Sequence, residues 1–201
     1  MLRTTQSSKR RETIRRFIRN DEAVAAIEFC LLMPLFAVLY VGTISIFDAY
    51  RSYEGLEATT NTVSTMISKF VVIGNNELNE QHRLLAGLSD VAQNNATLEV
   101  QSVERVQVAG QATPDTSDDV YEHHVMWSYD SASRSSTGYQ GLYTGARTIP
   151  ILSPGETVLI VETGITDTLV LASSFVAARQ NFSNFAVLTP RLTNAIVNRD
   201  S

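Results

Sequence analysis

The chain of 201 residues is long enough for one domain of roughly 150 residues beside a separate anchor, and its composition is ordinary for a folded protein. The net charge of −5 conceals an asymmetry, because seven basic side chains precede residue 20, whereas nine basic and seventeen acidic side chains follow Glu28. This acidic body excludes the basic surface that nucleic-acid binding requires, so we expect no nucleic-acid partner. The single cysteine, Cys30, excludes an intrachain disulfide and a C-x-x-C metal or redox site.

An uncharged apolar run extends over nineteen residues, from Phe29 to Phe47. As a helix it would be about 28 Å long, close to the thickness of the hydrocarbon core of a membrane. We therefore predict a basic cytoplasmic leader over residues 1–23 and a transmembrane helix over residues 24–47. Basic residues before the span place the N-terminus in the cytoplasm and the body in the periplasm, anchored in the inner membrane. The alternatives are a buried core helix and a cleaved secretory signal peptide, although no A-x-A site follows the run.

Two residues in this segment are unusual for a membrane span. Pro34 lies inside the run, and it predicts a kink whose freed carbonyl is satisfied by neighbouring helices or by a local adjustment. Glu28 places a carboxylate at the edge of the hydrocarbon. It either snorkels to the headgroups or pairs with a partner group, and ionisable residues at membrane depth mark function by default.

The helical pattern continues beyond the apolar run. Side chains from Tyr53 to Phe70 recur at spacings of three and four, while polar residues that include Thr59 and Ser68 occupy other faces. This predicts one long helix from Val24 to Ile73, with Gly74 as its C-terminal cap. A second helix starts at Asn75-Asn76, so residues 48–96 form an extracytoplasmic helical region. The side chains expected to point inward from the second helix are Leu78, Leu85, Leu88 and Val91.

The hydrophobic period changes to two in residues 97–201, which predicts an antiparallel β-rich periplasmic domain. The strands are TLEVQSVERVQVAG with a bulge at Val103, VYEHHVMWSYD, ETVLIVETG and FAVLTPRL. The segment DTLVLASSFVAARQ is predicted to form a short helix, and residues 130–155 a functional or mobile loop. Helices followed by antiparallel strands define an α+β fold, in which the amphipathic helix packs on a small sheet. On the second strand we expect one face to carry Tyr121, His123, Val125, Trp127 and Tyr129.

The sequence contains no G-x-S-x-G, Walker A, H-E-x-x-H or G-x-G-x-x-G motif, so we expect neither an enzyme nor a cofactor. Glu122 and His124 would share one face of a strand and could share a metal, but a partly buried sheet is the simpler interpretation. Asp115, Asp118 and Asp119 could ligate calcium with Asp130, but they lack the glycine and glutamate spacing of an EF-hand, so a solvated acidic turn is the simpler interpretation. Trp127 is expected in the core or in a partner contact.

The segment NDEAVAAIEFCLLMPLFAVLYVGTISIFDAY resembles the N-terminal signature of TadE-like proteins, the minor pilins or pseudopilins of tight-adherence (Flp/Tad) pilus systems. In that family a basic leader ends in a D-E-R-G-like sequence, followed by small residues, a Glu-Phe pair, a proline and a long apolar helix. Here these places are taken by residues 20–22, residues 25–27, Glu28-Phe29 and Pro34. The stretch VLTPRL, residues 187–192, also resembles the R-P-R-like ending of the family.

The resemblance implies a pilin-like, type IV-related subunit that takes part in pilus assembly and cell adhesion. It implies cleavage by a prepilin peptidase between Ala23 and Val24, which would make Glu28 the fifth mature residue. Glu28, with Phe29 beside it, would then serve subunit pairing, its carboxylate against the α-amino group of a neighbouring subunit. The implied partners are other pilin and pseudopilin subunits, the prepilin peptidase, the inner-membrane assembly platform and membrane lipid.

The chain departs from the family pattern at one position. The family usually has glycine before the cut, where this chain has Ala23, and a peptidase that approaches the backbone closely prefers glycine. A single-pass envelope protein that binds another periplasmic or membrane protein, without prepilin processing, is therefore the alternative function. A periplasmic enzyme is a third class, which would require a pocket with convergent polar groups.

Overall fold

The first described element is a helix of 47 residues, α1 (Asp21–Ile67). A computed structural model describes residues 21–109, 120–145, 147–150, 152–168 and 179–201. The chain divides into two units, Met1–Phe47 and Asp48–Ser201. A long N-terminal apolar helix followed by a small antiparallel sheet confirms the predicted α+β class. Residues 1–20 of the predicted leader, the three aspartates at 115–119 and residues 169–178 of the predicted short helix lie outside the described residues, whereas residues 21–23 of the leader belong to α1.

Within the first unit, α1 is apolar on all sides and exposed, with every residue from Ala25 to Tyr40 in contact with solvent. The hydroxyls in this segment are satisfied by the helix itself, because Thr43 Oγ1 donates to the Leu39 carbonyl at 2.8 Å and Ser45 Oγ to the Val41 carbonyl at 2.9 Å. The helix continues through Pro34, and the kink predicted there stays a prediction.

Within the second unit, α1 buries one face against the sheet. Leu56, Val63 and Ile67 are fully buried, as the spacing predicted, but Tyr53 is 43% exposed. The assignment of Thr59 and Ser68 to polar outer faces was wrong, because both are buried. Their hydroxyls donate to backbone carbonyls one turn earlier in the helix, so that burial leaves no donor unsatisfied.

α1 ends six residues earlier than predicted, and the chain then becomes extended. Strand β1 (Val72–Ile73) pairs in parallel with β8 (Val197–Asn198), near the C-terminus. Gly74 does not end α1; it precedes the first residue of α2 (Asn75–Leu88). A Cβ on Gly74 would lie 2.5 Å from Arg199 Nε and 2.7 Å from Asp200 Oδ2, so a larger residue there would displace the ends of these two side chains.

The start of the second helix, α2, is confirmed at Asn75, and Leu78 and Leu85 point inward as predicted. Leu88 is half exposed, which corrects its predicted inward position. The C-terminal segment supplies the cap of this helix, because Asp200 Oδ2 accepts a hydrogen bond from the Asn75 amide at 2.6 Å.

The sheet contains six strands in the second unit: β2 (Ala96–Ala109), β3 (Val120–Asp130), β4 (Ser135–Thr137), β5 (Gly141–Leu142), β6 (Thr157–Thr168) and β7 (Arg179–Leu188). Their order is β4-β3-β2-β6-β7, with β5 also on β3, and all pairs are antiparallel. Strand β6 ends at Thr168 and strand β7 begins at Arg179. Both ends of the helix predicted over residues 167–180 are therefore strand. The fourth predicted strand ends at Leu188, before Pro190.

Both faces of this sheet are covered by apolar side chains. The helix-covered face carries Leu98, Val100 and Val161 in a core with α1 and α2. The outer face carries a second cluster, in which Val103, Val158 and Ile160 pack with Leu152. This explains the uninterrupted apolar run in β6, since a strand buried on both faces does not alternate. Within the predicted loop, Ser135–Thr137 form β4, Gly141–Leu142 form β5 and Leu152 packs in the outer cluster, so these described parts of the loop belong to the fold.

A bulge between β2 and β3 corrects the predicted face of the second strand. Ser102 pairs with Trp127 and Val103 with Val125, so that the register shifts by one residue at Met126. Trp127 and Tyr129 therefore lie in the helix-covered core, whereas Val125 lies in the outer cluster. The predicted irregularity at Val103 is confirmed, but the additional residue belongs to the partner strand.

Candidate functional site

The exposed apolar part of α1, residues 25–47, is the surface of this chain that most requires a partner or lipid. Its hydropathy and length are sufficient to cross a membrane, and none of its most apolar eighteen-residue window is buried. The core helix of a soluble protein would bury most of that window. Leu31, Val38 and Tyr40 are each at least 70% exposed, an arrangement that is unfavourable in water and favourable in lipid or a helix bundle.

Glu28 lies on this surface, exposed, between Ile27 and Phe29, which are 50% and 59% exposed. Among the described residues, none forms a hydrogen bond or an ion pair with its carboxylate. A carboxylate surrounded by apolar side chains requires compensation once the helix leaves water, because desolvation penalises the charged form. The Glu28 carboxylate must therefore either reach water or pair with a cation.

Ala23 and Val24 lie in the first turn of the described part of α1, five residues or fewer before Glu28. Pro34 lies two turns further along the same helix. These residues, with Glu28 and Phe29, all fall on one continuous element, so their spacing in the sequence is also their spacing along a helix. Cleavage, pairing and the kink stay predictions, since they concern a peptidase, a second subunit and a helix bend.

The residues of the second resemblance motif, VLTPRL, continue from β7 into the segment that leads to the C-terminus. The Arg191 amide donates to the Ser68 carbonyl at 2.9 Å, which joins this segment to the end of α1. Further along, the Ile196 carbonyl accepts a hydrogen bond from Trp127 Nε1 at 2.8 Å. Trp127 is 4% exposed and lies in the core, the first of its two predicted placements.

His124 is held between two side chains on the sheet. Its Nδ1 lies 2.6 Å from the Tyr139 hydroxyl, and its Nε2 lies 3.2 Å from Glu122 Oε2, so Glu122 and His124 do share a face as predicted. Within the residues that the structure describes, no group of three His, Cys, Asp or Glu side chains is placed to hold a metal ion. The contacts account for His124 as part of a polar network.

Sequence reasoning missed a row of three carboxylates on the outer face of the sheet. The strand register sets Glu99 of β2 opposite Asp130 of β3 and opposite Glu162 of β6. Glu162 is compensated by Arg147, whose Nε lies 3.1 Å from its Oε1. Although Glu99 is exposed, partial desolvation raises the pKa of its carboxyl above the ordinary value, and the charges of Asp130 and Glu162 raise it further.

Tyr129 links this sheet to α2 from the opposite, helix-covered face. Burial, followed by the charge of Asp130, raises the pKa of Tyr129 to about 12, so the phenol stays protonated at neutral pH. Its hydroxyl donates to Asn79 Oδ1 at 3.1 Å. Tyr129 is thus a structural hydrogen-bond donor.

The clearest concavities in the second unit are two open, polar clefts. One, of about 460 Å³, is lined by residues of α1, the end of α2, the turn that follows α2, and β6, and these include Asp48, Arg51, Asp90 and Asp167. The other, of about 360 Å³, lies along α2 and beside Arg134. Neither brings a nucleophile together with a histidine base, the arrangement that acyl-transfer catalysis requires.

Comparison with known proteins adds no relative to this description. No family model matches the chain, and no curated protein or solved structure is detectably similar to it. The functional argument therefore depends on the N-terminal residues and on the geometry described above.

The carboxylate row makes a prediction about pH. Because the pKa of Glu99 is raised in the folded state, folded Glu99 holds its proton to a higher pH than unfolded Glu99. The free energy of unfolding should fall as pH rises through this interval, from about 4.3 upwards. Glu99→Gln should remove that loss and stabilise the fold at pH 7 by about 0.2–1 kcal/mol, the usual size of a cross-strand effect.

Urea unfolding of the full chain in detergent, followed by the fluorescence of Trp127, the only tryptophan, measures this effect. The gain should shrink as the pH falls below about 4, where the Glu99 carboxyl becomes protonated in both the folded and the unfolded state. Glu104→Gln is the matched control, since it lies on the same strand opposite His124 and Thr157 instead of carboxylates. Equal gains from both substitutions, or a gain independent of pH, would refute the proposed repulsion.

Proposed function

We propose that this chain is a membrane-anchored minor pilin or pseudopilin that takes part in assembly of a tight-adherence (Flp/Tad) pilus. The observation that carries the proposal is Glu28, an exposed carboxylate on an exposed apolar helix, which would be the fifth residue of the chain after cleavage behind Ala23. The leader, the small residues, the Glu-Phe pair and the proline support it together, because each occupies its place in the signature.

The proposal accounts for the two unusual properties of the first unit. Lipid, and the helices of neighbouring subunits, cover apolar side chains that would otherwise face water. A neighbouring α-amino group at Val24 supplies the cation that the Glu28 carboxylate has nowhere among the described residues. Where water is scarce, a carboxylate and an ammonium stabilise each other, while either one alone is costly.

The same proposal places the chain in the inner membrane as a single-pass protein. The seven basic residues before the span favour a cytoplasmic N-terminus, and unit Asp48–Ser201 is then periplasmic. Its partners are other pilin and pseudopilin subunits, the prepilin peptidase and the inner-membrane assembly platform.

Ala23 favours a second candidate function. If the residue before the cut must be glycine, the leader stays attached and the chain is an envelope protein that binds another periplasmic or membrane protein through one of its surfaces. The two functions differ in whether Val24 becomes the N-terminus.

Intact-mass analysis of the protein from membranes distinguishes them. In cells that make an active prepilin peptidase, the mature mass should lack residues 1–23, and cells with an inactive peptidase should retain them. Ala23→Gly should speed any slow cleavage, because glycine lets the backbone approach the peptidase more closely. A full-length mass in both strains, including the Ala23→Gly variant, would support the uncleaved anchor and contradict the pilin assignment.

The role of Glu28 is tested by Glu28→Gln, which retains the shape and removes the charge. Insertion and cleavage should survive, since neither requires a neighbouring subunit. Assembly should fail, because an ammonium left without its partner in a desolvated site costs about 3–5 kcal/mol, far more than a neutral hydrogen bond of about 1 kcal/mol. The readout is the number of surface pili together with crosslinking between subunits.

Glu57→Gln is the matched control, on the same helix but exposed in the second unit, and should leave pili unchanged. Normal pili from the Glu28→Gln strain would eliminate pairing and leave snorkelling to the headgroups as the account of Glu28.

A further inference from the structure

The larger cleft of the second unit, of about 460 Å³, lies beside the residues at which the chain leaves its apolar run. We call it the α1–β6 cleft, and its charged lining residues are Asp48, Arg51, Asp90 and Asp167. Ser52 is the fifth residue after Phe47 on α1, and its Oγ donates to Asp167 Oδ2 of β6 at 2.9 Å. This hydrogen bond holds the end of β6 next to the first residues of α1 that follow the apolar run.

The length of the helix limits how far this cleft lies from lipid. The uncharged run Phe29–Phe47 spans about 28 Å as a helix, and the hydrocarbon core is about 30 Å thick, so hydrocarbon ends close to Phe47 when α1 crosses a membrane. Five further helical residues rise at most about 7.5 Å, whatever the tilt of the helix. Each headgroup layer is about 5–8 Å thick. Ser52, and with it Asp167, therefore lies at the level of the headgroups.

Three polar groups of the cleft have no partner among the described residues. The Arg51 guanidinium and the Asp90 carboxylate belong to exposed residues, and neither forms an ion pair with a described residue. The Ser89 Oγ is buried, and no described group forms a hydrogen bond with it. A buried hydroxyl without a partner is costly, so a ligand that reaches it gains a hydrogen bond. Leu88, which is 52% exposed, adds an apolar side chain to the same lining.

We propose that the α1–β6 cleft binds the headgroup of a zwitterionic phospholipid whose cation is a primary ammonium, that is, a phosphoethanolamine headgroup. Arg51 binds the phosphate, because a planar guanidinium donates to two phosphate oxygens at once. Asp90 and the Ser89 hydroxyl accept hydrogen bonds from the ammonium, which has three N–H donors. Leu88 contacts the apolar part of the same lipid. One ligand thus supplies a counterpart to each of these groups.

The charges of the cleft distinguish this headgroup from other phospholipids. The described lining contains three carboxylates, those of Asp48, Asp90 and Asp167, against the single guanidinium of Arg51. A headgroup with a net negative charge therefore meets repulsion. A choline headgroup is zwitterionic, but its quaternary ammonium has no N–H to donate to the Ser89 hydroxyl.

The inference rests on the membrane anchor within the proposed function and adds to it a lipid contact of the periplasmic unit. It requires neither cleavage after Ala23 nor assembly of a pilus. A chain that is anchored but never enters a fibre would still bind the headgroup.

Lipid retention by the full-length chain tests the headgroup chemistry. The protein is purified in micelles that contain equal amounts of phosphatidylethanolamine, phosphatidylcholine and phosphatidylglycerol, and bound lipid is identified by native mass spectrometry. Phosphatidylethanolamine should be retained in preference to the other two. Arg51→Gln and Asp90→Asn should each weaken its retention roughly tenfold, the factor that corresponds to one charge-assisted hydrogen bond. Asp90 has a φ of 53°, a conformation that asparagine also adopts readily, so Asp90→Asn preserves the turn.

Two further variants separate the ligand contacts from a general loss of charge. Arg83→Gln is the matched control, because Arg83 is an exposed guanidinium on α2 that lines the other cleft, and its retention of lipid should be unchanged. Ser89→Ala should weaken retention of phosphatidylethanolamine and leave that of phosphatidylcholine unchanged, since only the primary ammonium donates to the hydroxyl. Trp127 fluorescence verifies that each variant is folded.

Fluorescence quenching in vesicles tests the depth of the cleft. A fluorophore on Leu88→Cys, in a Cys30→Ser background, should be quenched by a spin label attached to lipid headgroups. Asn61→Cys is the matched control, because residue 61 is exposed on α1 about 20 Å beyond Phe47 and should escape the quencher.

Equal retention of the three lipids, or equal losses in Arg51→Gln and Arg83→Gln, would overturn the inference. So would a label at residue 88 that is quenched no more than one at residue 61. If Cys30 of the native chain stays protected from a charged maleimide in the same vesicles, these results reject the headgroup site and leave the anchor intact. A reactive Cys30 would overturn the anchor and the headgroup site together.

Discussion

The free energy of removing apolar side chains from water governs both units of this chain. In the second unit, Leu56, Val63 and Ile67 of α1 are fully buried against the sheet. In the first unit, the same helix presents Leu31, Val38 and Tyr40 to its surroundings with no described protein cover. At about 25 cal/mol for each Å² of apolar surface, a segment of this kind is stable only where lipid or other helices replace water. The proposed function supplies such a cover for residues 25–47.

Hydroxyl groups allow α1 to serve both surroundings. The hydroxyls of Thr43 and Ser45 donate hydrogen bonds to helix carbonyls in the apolar segment. Those of Thr59 and Ser68 do the same in the buried segment. Thr60 also lies 2.6 Å from Thr163 of β6, oxygen to oxygen, which brings the helix and the sheet close together. Because each donor finds a carbonyl within its own helix, these small polar residues can face a core or lipid without the cost of an unsatisfied group.

Local patterns predicted the elements of this fold, while contacts between distant segments decided their details. The spacing of Leu56, Val63 and Ile67 is a local sequence pattern. Local patterns also predicted the α+β class and the start of α2. The parallel pairing of Val72–Ile73 with Val197–Asn198 joins segments far apart in sequence, and no local pattern indicates that it would end α1 early.

The bulge at Met126 and the carboxylate row both depend on the register between neighbouring strands. Period-two alternation placed Val125 and Trp127 on one face, and only the observed register between β2 and β3 separates them. That register also places Glu99 between Asp130 and Glu162. By contrast, Glu28 was found from its sequence neighbours, because the feature that distinguishes it, a carboxylate in an apolar helix, is itself local. Among the described residues none pairs with Glu28, so a partner on another molecule is a proposal.

Labelling of the only cysteine tests the central claim, that the apolar part of α1 lies in a membrane, most directly. Cys30 is exposed on that helix in the isolated chain, two residues beyond Glu28. In intact membranes, a charged water-soluble maleimide should leave Cys30 unmodified until detergent is added, while a cysteine substituted at the exposed Ala132 should react from the periplasmic side without detergent. Rapid labelling of Cys30 in intact membranes, at the rate seen in detergent, would contradict the account.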